Sequence, residues 1–424
     1  MKSRITKVRA RQLIDCKCRP IVEVDVITED GSIGRGCAPT GLSVGMYESF
    51  ILRDHNPNEY NGLSVHKAVE NVENIIAPAI IGMDVTCHRE IDEAMIELDG
   101  THNKSSLGGN AIYSTSIACF RAAAQSAGIP LYEYIAKKPL KTVPVPSFNI
   151  INGGKYRDFT MSYNEFILVP YKASSVYEAV EIGVNTFHEL EKVLYGYLGK
   201  KPEVASSYGY AAPSDDPQLV LELMQKAVTN CGYEDKVGFA LDCASSEVFD
   251  SKTKTYLLKG KRVSTEEMIE YAKELSEKFN LVFIEDLLDE NDWQGYSLAV
   301  EKINRSIIIG DDLIATDLKK IKKAYETNAI HGFILKPNQV GTITEALDAY
   351  AFAREHGMVA IPSGRSGGVI GDVIMDLAVG LEVGFIKNGA PRSGERIEKL
   401  NFLMRACDLA PDCRLADISD IIRF

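Results

Sequence analysis

The chain has 424 residues, of which 45% are hydrophobic and 25% charged, the balance of a globular protein with more than one domain. Acidic residues outnumber basic ones by 59 to 47, for a formal net charge of −12. This charge argues against a main role in binding nucleic acid or an anionic membrane surface, because both favour a basic face. The apolar stretches are too short or too charged to cross a bilayer, so we expect no membrane partner.

The first residues carry no apolar stretch, so we expect no secretory signal and a cytoplasmic protein. The nine cysteines are spread over the whole chain, which is typical of a reducing compartment. Cys16 and Cys18 form a C-x-C pair. No second pair of ligands stands at the spacing of a zinc site, so we interpret both cysteines as packing residues.

The first third of the chain predicts mixed α and β structure. Residues 21–26 alternate apolar and acidic side chains, as a half-buried strand does, and residues 29–32 predict a hairpin turn. Residues 34–48 are rich in glycine and include a proline, which indicates a loop. Helical patterns follow near residues 66–81, 89–98 and 109–127.

A proline-rich connection at residues 139–146 marks a predicted boundary between a first domain, residues 1–138, and a second, residues 139–424. In the second domain short apolar runs alternate with amphipathic helices. Predicted strands lie at 237–242, 281–286, 306–310, 331–336, 358–362 and 383–387, and predicted helices at 264–279, 317–326, 341–356 and 369–380. This alternation is typical of an α/β barrel with parallel strands.

Charged side chains follow the predicted strands at the point where each strand ends. In chain order they are Asp242, Glu285, Asp311, Lys336, Arg365 and Lys387. From Glu285 onward the steps are each about one βα unit. Equal steps predict that these groups share one rim, the C-terminal face where barrel enzymes carry their catalytic residues.

The residue types on this rim indicate a metal-assisted reaction. Asp242, Glu285 and Asp311 offer only oxygen ligands, which suit Mg²⁺ rather than zinc. Three carboxylates close together would repel one another without a cation between them. Lys336 is the expected general base, because the metal and Lys387 would lower its pKa and leave part of it neutral.

A local interpretation exists for each of these groups. A single acid after a strand is usually a helix cap or part of a surface ion pair, and a single lysine is usually solvated. Six charged groups at successive strand ends are harder to explain in that way. Arg365, with the planar fork that binds phosphate or carboxylate, adds to the prediction of an active site.

At these positions the chain resembles the enolase family, and the resemblance covers nearly the whole sequence. The matching segments include NIINGG at 149–154, ALD at 240–242, IED at 284–286, GDDL at 310–313, NQVGT at 338–342, RSG at 365–367, IKNGAP at 386–391, PTGLS at 39–43 and DGTHNKS at 99–105. The resemblance implies an α/β fold in which an N-terminal α+β capping domain precedes a C-terminal (β/α)8-type barrel of the enolase kind.

The resemblance also implies roles for individual residues. Asp242, Glu285 and Asp311 would hold a first Mg²⁺, and Ser43 would help to bind a second Mg²⁺ that arrives with substrate. Lys336 would remove the proton beside the substrate carboxylate. Lys387 would bind that carboxylate, and Arg365 and Ser366 would bind the phosphate. Two divalent cations would neutralise the charge that builds on the carboxylate oxygens. The implied substrate is a small phosphorylated or phosphonylated carboxylic acid, and the implied assembly is a homodimer or higher homo-oligomer.

The chain departs from the family pattern around the leaving hydroxyl group. Enolase carries a histidine where this chain has Tyr156, and a second histidine at the position of Gly364. The family's acidic loop motif is replaced by ASSYGY at 205–210. Glu165 is kept, and it and Tyr208 are the candidates for the proton donor that hydroxide departure needs. Tyr156 and Gly364 suggest a substrate that is larger at this end, with another anionic or leaving group.

Three hypotheses follow from the sequence. The first is a Mg²⁺-dependent lyase that forms an enol product from a 2-phosphoglycerate-like acid, as a specialised biosynthetic paralogue of enolase. The second is an ordinary enolase, which converts 2-phosphoglycerate to phosphoenolpyruvate and water. The third is a catalytically silent binding protein on an enolase frame, against which the intact carboxylate trio argues.

Overall fold

A computed structural model describes residues 3–41 and 45–424. The N-terminal part contains a three-stranded antiparallel sheet formed by β1 (Ile5–Ile14), β2 (Pro20–Thr28) and β3 (Ile33–Cys37), with β2 in the centre. Nearly all of β2 is buried, which explains why its alternation of apolar and acidic residues does not produce one exposed face. Its acidic residues Glu23 and Asp25 pair with Arg11 and Arg35 on the neighbouring strands.

Helices cover this sheet. They are α1 (His66–Asn71), α2 (Ala77–Ile80), α3 (His88–Asp99), α4 (Gly109–Ser126) and α5 (Leu131–Ala136). A π-helical turn at Val72–Ile76 joins α1 to α2, so the predicted helix at 66–81 is present but irregular. Helix α4 lies directly on β3 because glycine removes the intervening side chains. A Cβ atom on Gly34 would lie 1.9 Å from the carbonyl oxygen of Ala118.

The C-terminal part is an eight-stranded barrel with short extra strands. Its strands are β4 (Thr142–Val143), β5 (Val145–Lys155), β6 (Thr160–Val169), β7 (Tyr210–Ala211), β8 (Gly238–Asp242), β9 (Phe249–Asp250), β10 (Thr255–Leu258), β11 (Lys261–Val263), β12 (Leu281–Glu285), β13 (Ile307–Gly310), β14 (Gly332–Leu335), β15 (Val359–Pro362), β16 (Phe385–Lys387) and β17 (Arg414–Leu415). The sheet order is β15-β14-β13-β12-β8-β6-β5-β16. A parallel bridge between Ser363 and Lys387 brings β15 beside β16 and closes the barrel.

The predicted strands correspond to β8 and β12–β16, which confirms the α/β barrel. The expectation that all strands run parallel is wrong for β6, which is antiparallel to both β5 and β8. A connection of only four residues, 156–159, joins β5 to β6. Such a short loop permits only a hairpin, whereas a parallel pair needs a crossover of a dozen residues or more.

Helices pack around the barrel. They are α6 (Val176–Leu198), α7 (Pro217–Cys231), α8 (Thr265–Lys278), α9 (Trp293–Lys302), α10 (Leu318–Glu326), α11 (Pro337–Val340), α12 (Ile343–Glu355), α13 (Ile374–Gly380) and α14 (Gly394–Leu409). Inside the barrel Phe283 and Phe385 stack with ring centroids 5.6 Å apart, and branched side chains such as Ile309 and Ile361 are fully buried beside them. Within the described ranges, no helix combines the length and apolarity needed to cross a membrane.

The N-terminal part covers the C-terminal ends of the barrel strands. Ser49 donates its backbone N–H to the carbonyl of Gln339 at 2.7 Å and its hydroxyl to the carbonyl of Asn338 at 2.7 Å. Thr40 forms a bridge with Gly367. Asp92 on α3 accepts hydrogen bonds from Ser116 and from Thr344 on the barrel side. Thr40 and Ser49 are therefore held against the barrel beside the rim of charged residues.

Candidate active site

The strand ends bring the predicted carboxylates together. Asp242 and Glu285 are the last residues of β8 and β12 and are direct neighbours in the parallel register. Asp311 follows the end of β13. All three are buried, with Glu285 at 0% exposure. The rim predicted from strand spacing is therefore present as a geometric feature of the barrel.

Lys387, the last residue of β16, places its ammonium group among these carboxylates. Its Nζ lies 2.5 Å from Glu285, 3.2 Å from Asp242 and 3.1 Å from Glu165. Burial lowers the pKa of Lys387, but the three carboxylates raise it by more, so the net pKa is well above its ordinary value. Burial also raises the pKa of Glu285 well above the usual range. Lys387 is therefore the internal cation that offsets the repulsion among these buried carboxylates.

Lys336, directly after β14, contacts the third carboxylate. Its ammonium is in close ion-pair contact with Asp311, whose other oxygen accepts a hydrogen bond from Gln339 at 2.9 Å. Burial lowers the pKa of Lys336, but the carboxylates around it, Asp311 above all, together raise it by more, so the net pKa lies above its ordinary value. The predicted lowering of this pKa assumes a bound metal; without one, the nearest charge is an anion and the pKa is raised. A lowered pKa of Lys336 would require that a metal engage Asp311.

The donor set fits Mg²⁺. Every ligand atom is a carboxylate oxygen, as a hard divalent cation prefers. Among the described residues, nothing donates a hydrogen bond to the buried Oε1 atom of Glu285, and a buried acceptor without a partner is costly. The ammonium of Lys387 shows that a positive charge is already accommodated between two of the carboxylates. Ser43, the predicted ligand of a second ion, lies outside the described residues.

Asp286 is an organising residue that sequence reasoning missed. Its carboxylate accepts backbone hydrogen bonds from Asp311 at 2.8 Å and Asp312 at 2.9 Å. It therefore shapes the turn that positions the third carboxylate. Burial raises the pKa of Asp286 well above its usual range, and burial raises that of Asp312 to about 7. The consecutive acids at 285–286 were the available signal, since the second acid of this pair holds the turn.

Arg365, the predicted phosphate ligand, forms a bidentate ion pair. Its guanidinium contacts both carboxylate oxygens of Glu48, at 2.9 and 3.1 Å. Glu48 belongs to the segment of the N-terminal part that covers the rim, and sequence reasoning did not single it out. Ser366 lies beside Arg365 on the cavity wall, and its carbonyl accepts a hydrogen bond from the thiol of Cys16 at 3.5 Å.

One cleft of about 420 Å³ connects these groups. It is lined by Asp242, Asp311, Lys336, Arg365, Lys387 and Glu165, among others. Carboxylates and cations are interleaved along the cleft, so it can hold a divalent cation beside an anionic ligand. The amine of Lys336, the predicted general base, lines the same cleft.

Comparison with known proteins decides the family. Residues 140–415 match the model of the enolase C-terminal TIM barrel domain, and residues 5–135 match that of the enolase N-terminal domain. The chain belongs to the enolase family. The enolase of Methanopyrus kandleri is 41% identical over 408 residues, 95% of each chain. The enolase of Methanococcus aeolicus is 40% identical over 402 residues, 95% of this chain and 94% of that one.

Membership of the enolase family makes the chain a lyase, and the hypothesis of a silent binding protein is not supported. The similarity to proteins named enolase fits an ordinary enolase at least as well as a specialised paralogue.

Glu165, the retained acid, lies on antiparallel β6 and is the register partner of Asp242 on β8. It accepts a hydrogen bond from Asn149 and contacts Lys387.

Two tyrosines predicted to contact substrate have hydroxyl groups engaged elsewhere. The Tyr156 hydroxyl donates to the carbonyl of Asn152 at 2.6 Å, and that of Tyr208 donates to the carbonyl of Cys16 at 3.0 Å. Burial raises the pKa of both hydroxyls, which makes them weaker acids. Neither tyrosine is among the described residues that line the cleft. The structure therefore does not bring either hydroxyl to the reacting end of the site.

Gly364 does line the cleft, but the space that it leaves is not open. A Cβ atom built on Gly364 would lie 2.0 Å from the Nζ atom of Lys399. An enolase-family histidine at this position would collide with that ammonium. Lys399 and Arg396, both on α14, line the same end of the site, and sequence reasoning did not identify either residue.

Proposed function

We propose that the protein catalyses a Mg²⁺-dependent enolase reaction, in which 2-phosphoglycerate loses water to form phosphoenolpyruvate. The single observation that carries this proposal is the arrangement of Lys336 and Lys387 against a buried trio of carboxylates at successive strand ends. The similarity to proteins named enolase supports the same reaction.

Lys336 is the proposed general base. Its amine would take the proton from the carbon next to the substrate carboxylate, and the electron pair of that C–H bond would move into the carboxylate. Asp242, Glu285 and Asp311 would hold the first Mg²⁺, and Ser43 would contribute to a second. When bound, the metal supplies positive charge that stabilises the doubly negative carboxylate of the intermediate.

Lys387 and Arg365 are the proposed anchors of the substrate. Lys387 would hold the substrate carboxylate once its own carboxylate partners are shared with a metal. Arg365, with Ser366, would bind the phosphate, for which its planar fork is well suited. Glu48 would then share or release the guanidinium that it now pairs with.

Loss of the hydroxyl group completes the proposed reaction. The C–O bond breaks, the electron pair of the intermediate forms the C=C bond, and the departing hydroxide takes a proton to become water. Glu165 is the proposed proton donor, because it is the retained acid and it lines the cleft. A proton donor at this step commonly contributes about 10²–10⁴-fold to the rate.

A specialised substrate remains the second candidate function. The observation that favours it is local: where the family carries a histidine, Gly364 stands against the ammonium of Lys399. A phosphorylated or phosphonylated acid with another group at this end would use the same base, metal ligands and phosphate anchor. The two candidates therefore differ at the leaving-group end of the substrate.

The homodimer and the cytoplasmic location remain proposals. An exposed apolar cluster at the edge of the N-terminal sheet supports self-association: Leu13, Ile14, Ile33 and Ile370 are 41%, 55%, 48% and 76% exposed and line one groove. Exposed apolar clusters of this kind mark interaction surfaces. Sedimentation at several protein concentrations would show the assembly.

Proton exchange tests the proposed function directly. We expect the wild-type protein with Mg²⁺ to exchange the α-proton of 2-phosphoglycerate for deuterium and to form phosphoenolpyruvate, followed by its ultraviolet absorbance. Lys336→Ala removes the base and should slow exchange by at least about 100-fold. Lys319→Ala, which removes an exposed lysine of α10, is the matched control and should exchange at the wild-type rate.

Each outcome has a distinct meaning. Exchange that persists in Lys336→Ala would reject this lysine as the base. Wild-type exchange without phosphoenolpyruvate would reject the ordinary enolase reaction and favour the second candidate, because proton removal would be intact and hydroxide departure would fail.

A further inference from the structure

Two cations at the leaving-group end of the site have no role in the proposed reaction. Arg396 and Lys399, one helical turn apart on α14, are only 6% and 4% exposed. With Arg365 and Lys387 they place four cations on the wall of a cavity of about 60 Å³. Glu165 is the single carboxylate among the described residues of that wall. The wall is therefore suited to an anion.

Gly364 is the residue that lets Lys399 reach this cavity. The 2.0 Å approach of the Lys399 Nζ atom to an added Cβ means that the ammonium occupies the volume of the missing side chain. Gly364 does not have a positive φ, so glycine is needed here for space rather than for backbone conformation. Any larger residue would displace the ammonium from the cavity wall.

Both cations keep hydrogen-bond donors available. The Lys399 ammonium, which has three N–H donors, contacts Asp372 at 3.1 Å. Arg396 donates one N–H to the carbonyl of Ser207, and its Nε lies 3.6 Å from Glu395. These contacts do not use all of the N–H donors of either cation.

We propose that Lys399 and Arg396 form a subsite for an additional anionic group of the substrate, such as a carboxylate, at the end where 2-phosphoglycerate carries its hydroxymethyl group. This inference rests on the proposed function and names the substrate class of the same site. The subsite therefore favours the second candidate function, because a second acidic group on a phosphorylated acid would pair with these cations, whereas the uncharged end of 2-phosphoglycerate would not.

Binding measurements with two ligands test the subsite. The probes are 2-phosphoglycerate and malate 2-phosphate, which has a carboxylate in place of the hydroxyl group and cannot lose water. Calorimetry with saturating Mg²⁺ gives the two dissociation constants. The wild-type protein should bind malate 2-phosphate about tenfold more tightly or better, the effect of one hydrogen bond between charged groups.

Two variants assign this preference to the subsite. Lys399→Gln should lose most of it while changing the affinity for 2-phosphoglycerate by less than about threefold. Gly364→Ala should do the same by displacing the ammonium, and it keeps the lysine available to Asp372 if Lys399→Gln fails to fold. Lys278→Gln removes an equal charge from an exposed ion pair with Glu222 and should keep the wild-type preference.

Failure of the subsite and failure of the proposed function are distinguishable. Equal affinities in the wild-type protein, or equal losses for both ligands in Lys399→Gln, would overturn the subsite. Deuterium exchange into 2-phosphoglycerate reports the proposed function separately. Exchange with no preference for the extra carboxylate rejects the subsite alone, whereas preference without exchange rejects only the proposed function.

Discussion

Replacing Lys387 by methionine removes the internal cation of the carboxylate trio. Lys387 is 7% exposed, and its ammonium contacts Asp242, Glu165 and Glu285. Removing one partner of a buried ion pair costs about 3–5 kcal/mol, because the remaining charge stays buried without compensation. We expect a loss of this size in the free energy of unfolding of Lys387→Met when a chelator removes divalent cations.

Magnesium should reverse much of this loss. A ligand at 100 times its dissociation constant stabilises the folded state by about 2.7 kcal/mol. In Lys387→Met the carboxylates no longer have an ammonium that competes with the metal. The variant should therefore gain more stability from Mg²⁺ than the wild-type protein does. Urea denaturation midpoints in EDTA and in saturating MgCl₂ measure both quantities.

Lys104 provides a matched control for the metal effect. It is a lysine that is 4% exposed and is paired with Glu345 at 3.0 Å, away from the trio. Lys104→Met should also lose stability, but Mg²⁺ should stabilise it no more than it stabilises the wild-type protein. The reasoning is refuted if Lys387→Met is as stable as wild type in EDTA, or if Mg²⁺ stabilises both proteins equally.

Two further predictions concern the fold. In Gly34→Ala the added methyl group would lie 1.9 Å from the Ala118 carbonyl oxygen. The free energy of unfolding, measured by urea titration, should therefore fall by about 1–3 kcal/mol. The control Gly196→Ala, which has open space around the added Cβ atom, should not be destabilised in the same titration. Burial raises the pKa of Asp92 to about 6, above the unfolded value, so stability that is present below pH 4 is lost as the pH rises through 6. Asp92→Asn should therefore gain about 3 kcal/mol relative to wild type between pH 4 and 7; a pH-independent difference in the denaturation midpoints would contradict this.

The rim of the barrel was predictable because its signals are local in the sequence. A buried parallel strand is a short, continuous apolar run, and the first polar residue after it marks its carboxyl end. Asp242, Glu285 and Lys387 are each the last residue of their strand. Because parallel strands in a barrel end on one face, this local information is enough to place them together.

The strand that carries Glu165 was not predictable in the same way. It is antiparallel to its two neighbours, so the rule that catalytic residues follow strand ends does not apply to it. Glu165 lies within β6 and reaches Asp242 through the cross-strand register. Only the resemblance to enolase pointed to this residue.

The charge state of the base required three-dimensional information of a different kind. The sequence placed Lys336 near a metal and Lys387, and these neighbours would lower its pKa. In the structure the first charge that Lys336 meets is the carboxylate of Asp311, which raises it. Distance order, rather than the number of cations nearby, decides the direction of such a shift.

The leaving-group end shows the largest gap between sequence and structure. Loss of a family histidine at Gly364 suggests added space, because a sequence comparison registers only the side chain that is missing. In the structure the ammonium of Lys399, from the helix after the last barrel strand, occupies that volume. With glycine at this position, that volume therefore holds a positive charge rather than open space. A larger neutral substrate would not be favoured by this change, whereas a more negative one would.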